Sequence, residues 1–267
     1  MIVKYIWVHN NKFRYNMRVI DCDINDIPVS KYEQDNKIYV LSPCYTIVDP
    51  MSSVLSYITL CDVYDSYEIT SKPIASNTRY KAKETFSKYD FTRKLVANFG
   101  FTQEYCTDTS NTSLQKTIAE EHLFACIKSG IRVTELNCDN NRWSFSTALY
   151  PGILAGDHLL LARFLLETIG EKHGVVVDFQ QSTYLIRYNI STMMRSNDLH
   201  RYMNDPINKH TKLYYNDNIN TYNRHIRDNN YSQFSHFEVL SPCADPYSAT
   251  LQTFVGYMSS VPSDALL

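Results

Sequence analysis

Asp157 and His158 stand side by side in the run Gly156-Asp157-His158-Leu159-Leu160-Leu161-Ala162-Arg163. A carboxylate next to an imidazole could do acid–base work. The same pair at the head of an amphipathic run fits a helix entry better: Asp157 can accept from the first free backbone N–H groups, and His158 caps or packs. Arg224 and Arg227 could hold a small anion, or pair with Glu238 or Asp228. Tyr214, Tyr215, Tyr222 and Tyr231 interleave with these arginines in the manner of a single-stranded nucleic-acid platform. The formal net charge of −2 does not support that reading, and it predicts no bulk attraction to nucleic acid or an anionic membrane. Glu135 and Asn137 alternate onto one side of a strand, with Asp139 and Asp178 near in sequence. His122 and His173 fall within or at the end of helical patterns, which suggests surface positions.

The elements that must hold these residues follow from periodicity. Residues 2–8 and 13–21 read as a hairpin around His9-Asn10-Asn11-Lys12, and Lys37–Ser42 and Val54–Val63 as further strands. Ser71-Lys72-Pro73 marks a boundary, because Pro73 lacks a donor. Ser76 or Asn77 caps a helix to about Tyr89, and Ser113 starts another that ends at Ser129-Gly130. Strands are expected at 98–106, 131–137, 143–149, 175–180 and 184–190, and the segment from 196 onward carries no readable period. Trp143, Phe145, Leu149, Leu159, Leu161, Leu165, Val175, Val177 and Phe179 are the expected core. The pattern is α+β: a small sheet, then a larger antiparallel sheet with packed helices.

Composition narrows the classes. No run of about 18 apolar residues is present, so no transmembrane helix is expected. Seven cysteines lack any C-x-x-C pair, which favours reduced thiols in a cytoplasmic compartment. Only 7 glycines leave little material for loops whose backbone N–H groups cradle phosphates. The abundance of Tyr and Asn fits an AT-rich genome and hints at a virus or a parasite as the source.

Several segments, in order, resemble the glutamine synthetase family. Trp143 to Glu167 resembles W-E-F-Q…G-D-H-x-x-x-A-R-[FY]-[IL]-L. Leu60-Cys61-Asp62-Val63-Tyr64 is similar to L-C-E-V-[FY], and Pro73–Arg79 to P-x-x-T-N-x-R. Phe99–Tyr105 is similar to F-G-x-E-Q-E-Y. Phe237-Glu238 and Cys243-Ala244-Asp245-Pro246-Tyr247 resemble F-E-D-R-R-P and N-C-D-P-[FY]. The resemblance implies a β-grasp domain at residues 1–72 and a catalytic-type domain at 73–267, in a divergent and truncated member.

The family joins ammonia to the glutamate side chain after ATP phosphorylates it. That chemistry needs Mg²⁺ or Mn²⁺ on oxygen ligands and arginines on the phosphates. Carried over residue by residue, four of the family's ligand positions are Thr102, Asn137, Ser144 and Arg187 here. Glu104 and Glu238 remain as remnant metal ligands, and Arg224 and Arg227 as remnant phosphate-binding arginines. The flap motif is Lys209-His210-Thr211 without its glutamate, and Leu240 and Ser241 replace the two arginines of E-D-R-R-P. The expectation is a catalytically degenerate pseudoenzyme acting as a structural or interaction protein, without cofactor. It would be a homo-oligomer or contact another glutamine synthetase-like subunit. The alternatives are an active ligase using ATP and Mg²⁺ or Mn²⁺, with Glu135, Asp139 or Asp178 rebuilding the site, and a small-anion binder.

Overall fold

A computed structural model describes residues 1–9, 12–65, 73–75, 77–93, 96–139, 142–179, 184–191, 236–240 and 245–260. The first sheet has five strands: β1 (Ile2–His9), β2 (Lys12–Val19), β3 (Ser30–Gln34), β4 (Lys37–Val48) and β5 (Ser56–Tyr64), in the order β2-β1-β5-β4-β3. β1 pairs antiparallel with β2 and parallel with β5, so the chain crosses over between them.

The sequence pattern did not reveal β3, whose residues alternate between partly buried and exposed in a polar run. Its hairpin turns on Asp35 and Asn36, both at positive φ (53° and 58°). Asp and Asn tolerate that region better than other side chains with a Cβ. β4 runs past Pro43 to Val48, beyond the expected end at Ser42. The register shifts between Pro43 and Tyr45, and this bulge absorbs the missing donor. Pro73 also does not end pairing: it bridges Tyr64, and Ile74 N donates to Val63 O.

The second sheet is antiparallel. Its strands are β6 (Val96–Thr107), β7 (Val133–Asp139), β8 (Arg142–Thr147), β11 (Tyr184–Ser191) and β12 (His236–Leu240), in the order β12-β11-β6-β8-β7. The short β9 (Tyr150–Pro151) and β10 (Val177–Asp178) also pair with β6. Helix α1 spans Thr78–Arg93, with Asn77 Oδ1 accepting from Tyr80 N. Helix α2 spans Thr112–Lys128; Asn111 caps its start, and Gly130 (φ 79°) follows its end. Helix α3 spans Leu154–Lys172 and α4 spans Pro246–Ser260, a helix that periodicity did not give.

One apolar cluster joins both sheets. Ile6, Ile47, Ile58 and Leu60 of the first pack with Phe99, Phe101, Phe145 and the α3 residues Leu159, Leu161 and Leu165. Burying each of these side chains contributes about 1.5–3 kcal/mol. Among the expected core residues, Trp143 is half-buried rather than buried. Leu149 is 41% exposed, because β8 ends at Thr147 and the chain leaves the ladder.

Candidate functional site

Strand register settles which residues share a face. Glu104 lies opposite Ser144 on β8, and Ser144 lies opposite Asn137 on β7. Directly opposed residues of an antiparallel ladder project to the same side. The three therefore form one row across β6, β8 and β7. The adjacent row is Thr102, Ser146 and Glu135. Thr102 Oγ1 and Ser146 Oγ are hydrogen-bonded at 2.8 Å. The backbone of Arg187 pairs with Gly100, in step with Thr102 and Glu104. That of Glu238 pairs with Ile186, and Ile186 with Phe101, one residue out of step with Arg187. Arg224, Arg227, the Lys209–Thr211 segment, the tyrosines from Tyr214 to Tyr231 and Ser241 lie outside the described residues.

The opposite face of β6 is core. Phe101, Gln103 and Tyr105 are fully buried, beside Phe145 of β8. Arg163 of α3 donates through Nε to Gln103 Oε1 at 2.9 Å and again through its terminal nitrogen. Its guanidinium also rests 5.6 Å from the Phe179 ring.

Asp157 does not cap its helix. α3 begins at Leu154, so Asp157 already sits in the first turn, and its carboxylate turns to a stronger donor. Arg79 of α1 reaches it twice, Nε to Oδ1 at 2.8 Å and Nη2 to Oδ2 at 2.9 Å. A third nitrogen of Arg79 bonds Asp62 Oδ2 on β5 at 3.2 Å. The Tyr247 hydroxyl of α4 donates to Asp157 Oδ1. Gly156 makes this possible, since a Cβ there would stand 2.5 Å from the Tyr247 ring. Burial alone would lower the Arg79 pKa, but its bonds to Asp157 outweigh that and hold it above its ordinary value. Burial and then the Asp157 charge push the Tyr247 phenol well up.

The histidines pack. His158 Nε2 meets the Tyr45 hydroxyl at 2.8 Å, with the Tyr150 ring edge-on, and burial lowers its pKa to about 4. His122 was expected on the surface; it is fully buried, its Nε2 3.0 Å from Ala162 O, and burial lowers it to about 4. It falls there because α2 lies against α3 and places His122 beside Phe145. His173 is half-buried, 2.7 Å from Glu121.

No family model matches the chain. The chain is 26% identical over 219 residues to glutamine synthetase root isozyme 5 of Zea mays, covering 66% of this chain and 60% of that protein. It is 27% identical over 218 residues to the chloroplastic glutamine synthetase of Daucus carota, covering 66% and 50%. To the nodule isozyme of Medicago sativa it is 26% identical over 221 residues, covering 67% and 61%. Over about two thirds of its length the chain is similar to glutamine synthetases, at 26% to 27% identity. The matched stretch spans 50% to 61% of these three relatives' own length.

Its α+β architecture is glutamine synthetase-like, and the segments resembling the family's motifs have two fates. Those carrying Asp62, Arg79, Asp157, Arg163, Gln103 and Tyr247 build the buried contacts above. On the outward face of β6, β7 and β8, Glu104, Asn137, Ser144 and Thr102 supply one carboxylate, an amide and two hydroxyls, and Glu135 and Asp139 of β7 lie on the same face. Hard divalent cations take several oxygen ligands within about 2.0–2.6 Å, drawn from carboxylates, carbonyls and water. Glu135 lies in the adjacent row, two strands from β6 and opposite Ser146. Asp178 pairs opposite Cys106 on β10, and Asp139 ends β7 opposite Arg142. Among the described residues no three His, Cys, Asp or Glu gather as a metal site.

Proposed function

We propose that this glutamine synthetase-family chain is a pseudoenzyme that acts as a structural or interaction protein. The row Glu104–Ser144–Asn137 carries the reading. The phosphoryl step of the family reaction depends on cations that neutralise developing charge, and a single carboxylate flanked by an amide and hydroxyls is a poor ligand set for them. The test is phosphate release from ATP with glutamate, ammonia and Mg²⁺ or Mn²⁺ present. Background release is expected. Turnover that disappears in Glu104→Ala would overturn the proposal and restore the ligase reading.

The partner is a second copy of this chain or another glutamine synthetase-type subunit. Edge strand β2 supports this, since Met17 and Val19 are 53% and 83% exposed on one side of it. Light scattering on the purified protein, alone and mixed with such a subunit, reads the assembly directly; a monomer in both samples would refute it. A cytoplasmic location agrees with the free thiols of Cys22, Cys44, Cys61, Cys106, Cys126 and Cys138. Among the described residues no helix is long and apolar enough to cross a membrane.

A further inference from the structure

A cavity of about 280 Å³ lies where the first sheet meets α1, α3 and α4. Its wall is mostly apolar, with Val8, Leu60, Ile74 and Leu160 contributing. Two carboxylates, Asp62 and Asp245, also line it. Asp62 is 7% exposed; its Oδ2 is taken by Arg79, but its Oδ1 is buried with no hydrogen-bond partner. Burial raises the Asp62 pKa, against the Arg79 charge and then the Asn77 side chain, which pull it down, and Asn77 Nδ2 is also unpartnered by geometry. Buried polar atoms without partners are costly and usually mark a missing donor or acceptor.

Charge decides what kind of donor is missing. Arg79 is spent on Asp157 and Asp62, so one cation faces three carboxylates at this junction. A metal ion does not suit the site, because Asp157 and Asp62 Oδ2 are taken by Arg79, Asp245 Oδ1 accepts from Ser248 N, and the lining is largely apolar. An ammonium group on a short aliphatic body satisfies both features: N–H groups for the carboxylates, carbon for the walls.

We propose that this junction cavity binds a small aliphatic ammonium ligand, whose N–H groups donate to Asp62 Oδ1 and whose carbon chain packs on Leu60, Ile74 and Leu160. The site is separate from the outward row of the second sheet and stands whether or not that row is inactive. It would couple the first sheet to the helices, since its walls come from both.

The experiment titrates n-butylammonium chloride into the full chain, with sodium chloride at equal ionic strength as reference. Thermal unfolding and methyl NMR are the readouts. A saturable rise in Tm is expected with n-butylammonium alone, together with shifts of the Val8, Leu60, Ile74 and Leu160 methyls. Asp62→Asn should weaken binding by roughly tenfold or more. Because Asp62 also holds Arg79, Thr78→Phe provides a second arm: it fills the cavity from the α1 side and should abolish binding while leaving the Arg79 bonds intact. An equal response to both salts, with the cavity holding only water, overturns the proposal. So does binding undiminished by Thr78→Phe.

Discussion

Arg163 on α3 holds Gln103 on β6 from behind, Nε to Oε1 at 2.9 Å, while the residues on either side of Gln103 face the other way. The glutamine is fully buried. Its neighbours Thr102 and Glu104 are half-exposed and look out with Ser144. The strand is therefore fixed by contacts that make no use of its outward chemistry. A scaffold of this kind keeps its geometry when the outward side chains change.

Mutations should divide by face. Phe145→Ala, fully buried on β8, should lower stability by about 3–5 kcal/mol. Ser144→Ala, one residue away, should change it by no more than about 0.5 kcal/mol. Urea unfolding followed by circular dichroism measures both, and equal losses would contradict the two-faced sheet.

Arg79→Met should cost about 3–5 kcal/mol, because it strands two buried carboxylates, Asp62 and Asp157. The double variant Arg79→Met with Asp157→Asn should recover part of that loss, since one buried charge is then gone. A double-mutant cycle with no coupling would refute the clamp.

Gly156→Ala should destabilise by about 1–3 kcal/mol through overpacking against the Tyr247 ring. Pairing it with Tyr247→Leu should relieve much of the cost. If the alanine alone is silent by thermal unfolding, α4 does not dock as described.

Acid should weaken the fold through His122 and His158. Their folded pKa values, about 4, lie below the unfolded value of 6.5, so the unfolded chain binds more protons between those limits. Stability from them is full above pH 6.5 and is lost as pH falls toward 4, on the order of 3 kcal/mol for fully buried His122. Glu167 opposes this. Burial, then the charge of Glu171, raises it from 4.5 to about 7, so it favours the fold below pH 4.5 and that gain is lost as pH rises to 7. Urea midpoints across pH 4–8 should fall steeply below 6.5 in the wild type and less steeply in His122→Gln.

Calorimetry with Mn²⁺ should show no stoichiometric binding by the wild type. The triple variant Thr102→Glu, Asn137→Glu, Ser144→Glu should gain it, because those positions cluster around Glu104 by register. Like charges packed on one face should also make that variant less stable without metal, and Mn²⁺ should restore it. A triple variant that folds yet ignores Mn²⁺ would show that the row is not arranged as a ligand set.

The outward row was legible because alternation along a strand is rigid: once Trp143-Ser144-Phe145 is a strand, Ser144 must face away from the core residue Phe145. The end of α2 was legible from Ser129-Gly130, whereas its start was placed at Ser113, two residues after the Asn111 that caps it. What escaped was set by distant partners. Asp157 looks like a cap in sequence, and only the arrival of Arg79, 78 residues earlier, redirects it. His122 looks like a surface residue in a weakly amphipathic helix, until α3 covers it. β3 and the extension of β4 depend on a turn and a bulge that have no hydrophobic signal of their own. Asp62, Arg79, Gln103, Arg163 and Tyr247 all lay in quoted motifs, yet their common role shows only in three dimensions.

The alternation of β6 has a further consequence for how such a chain can drift. Its odd positions, Phe101, Gln103 and Tyr105, are each answerable to many neighbours, whereas Thr102 and Glu104 are answerable to few. A lineage can therefore lose a reaction one codon at a time, each intermediate remaining a folded, expressible protein that keeps the surfaces by which others know it.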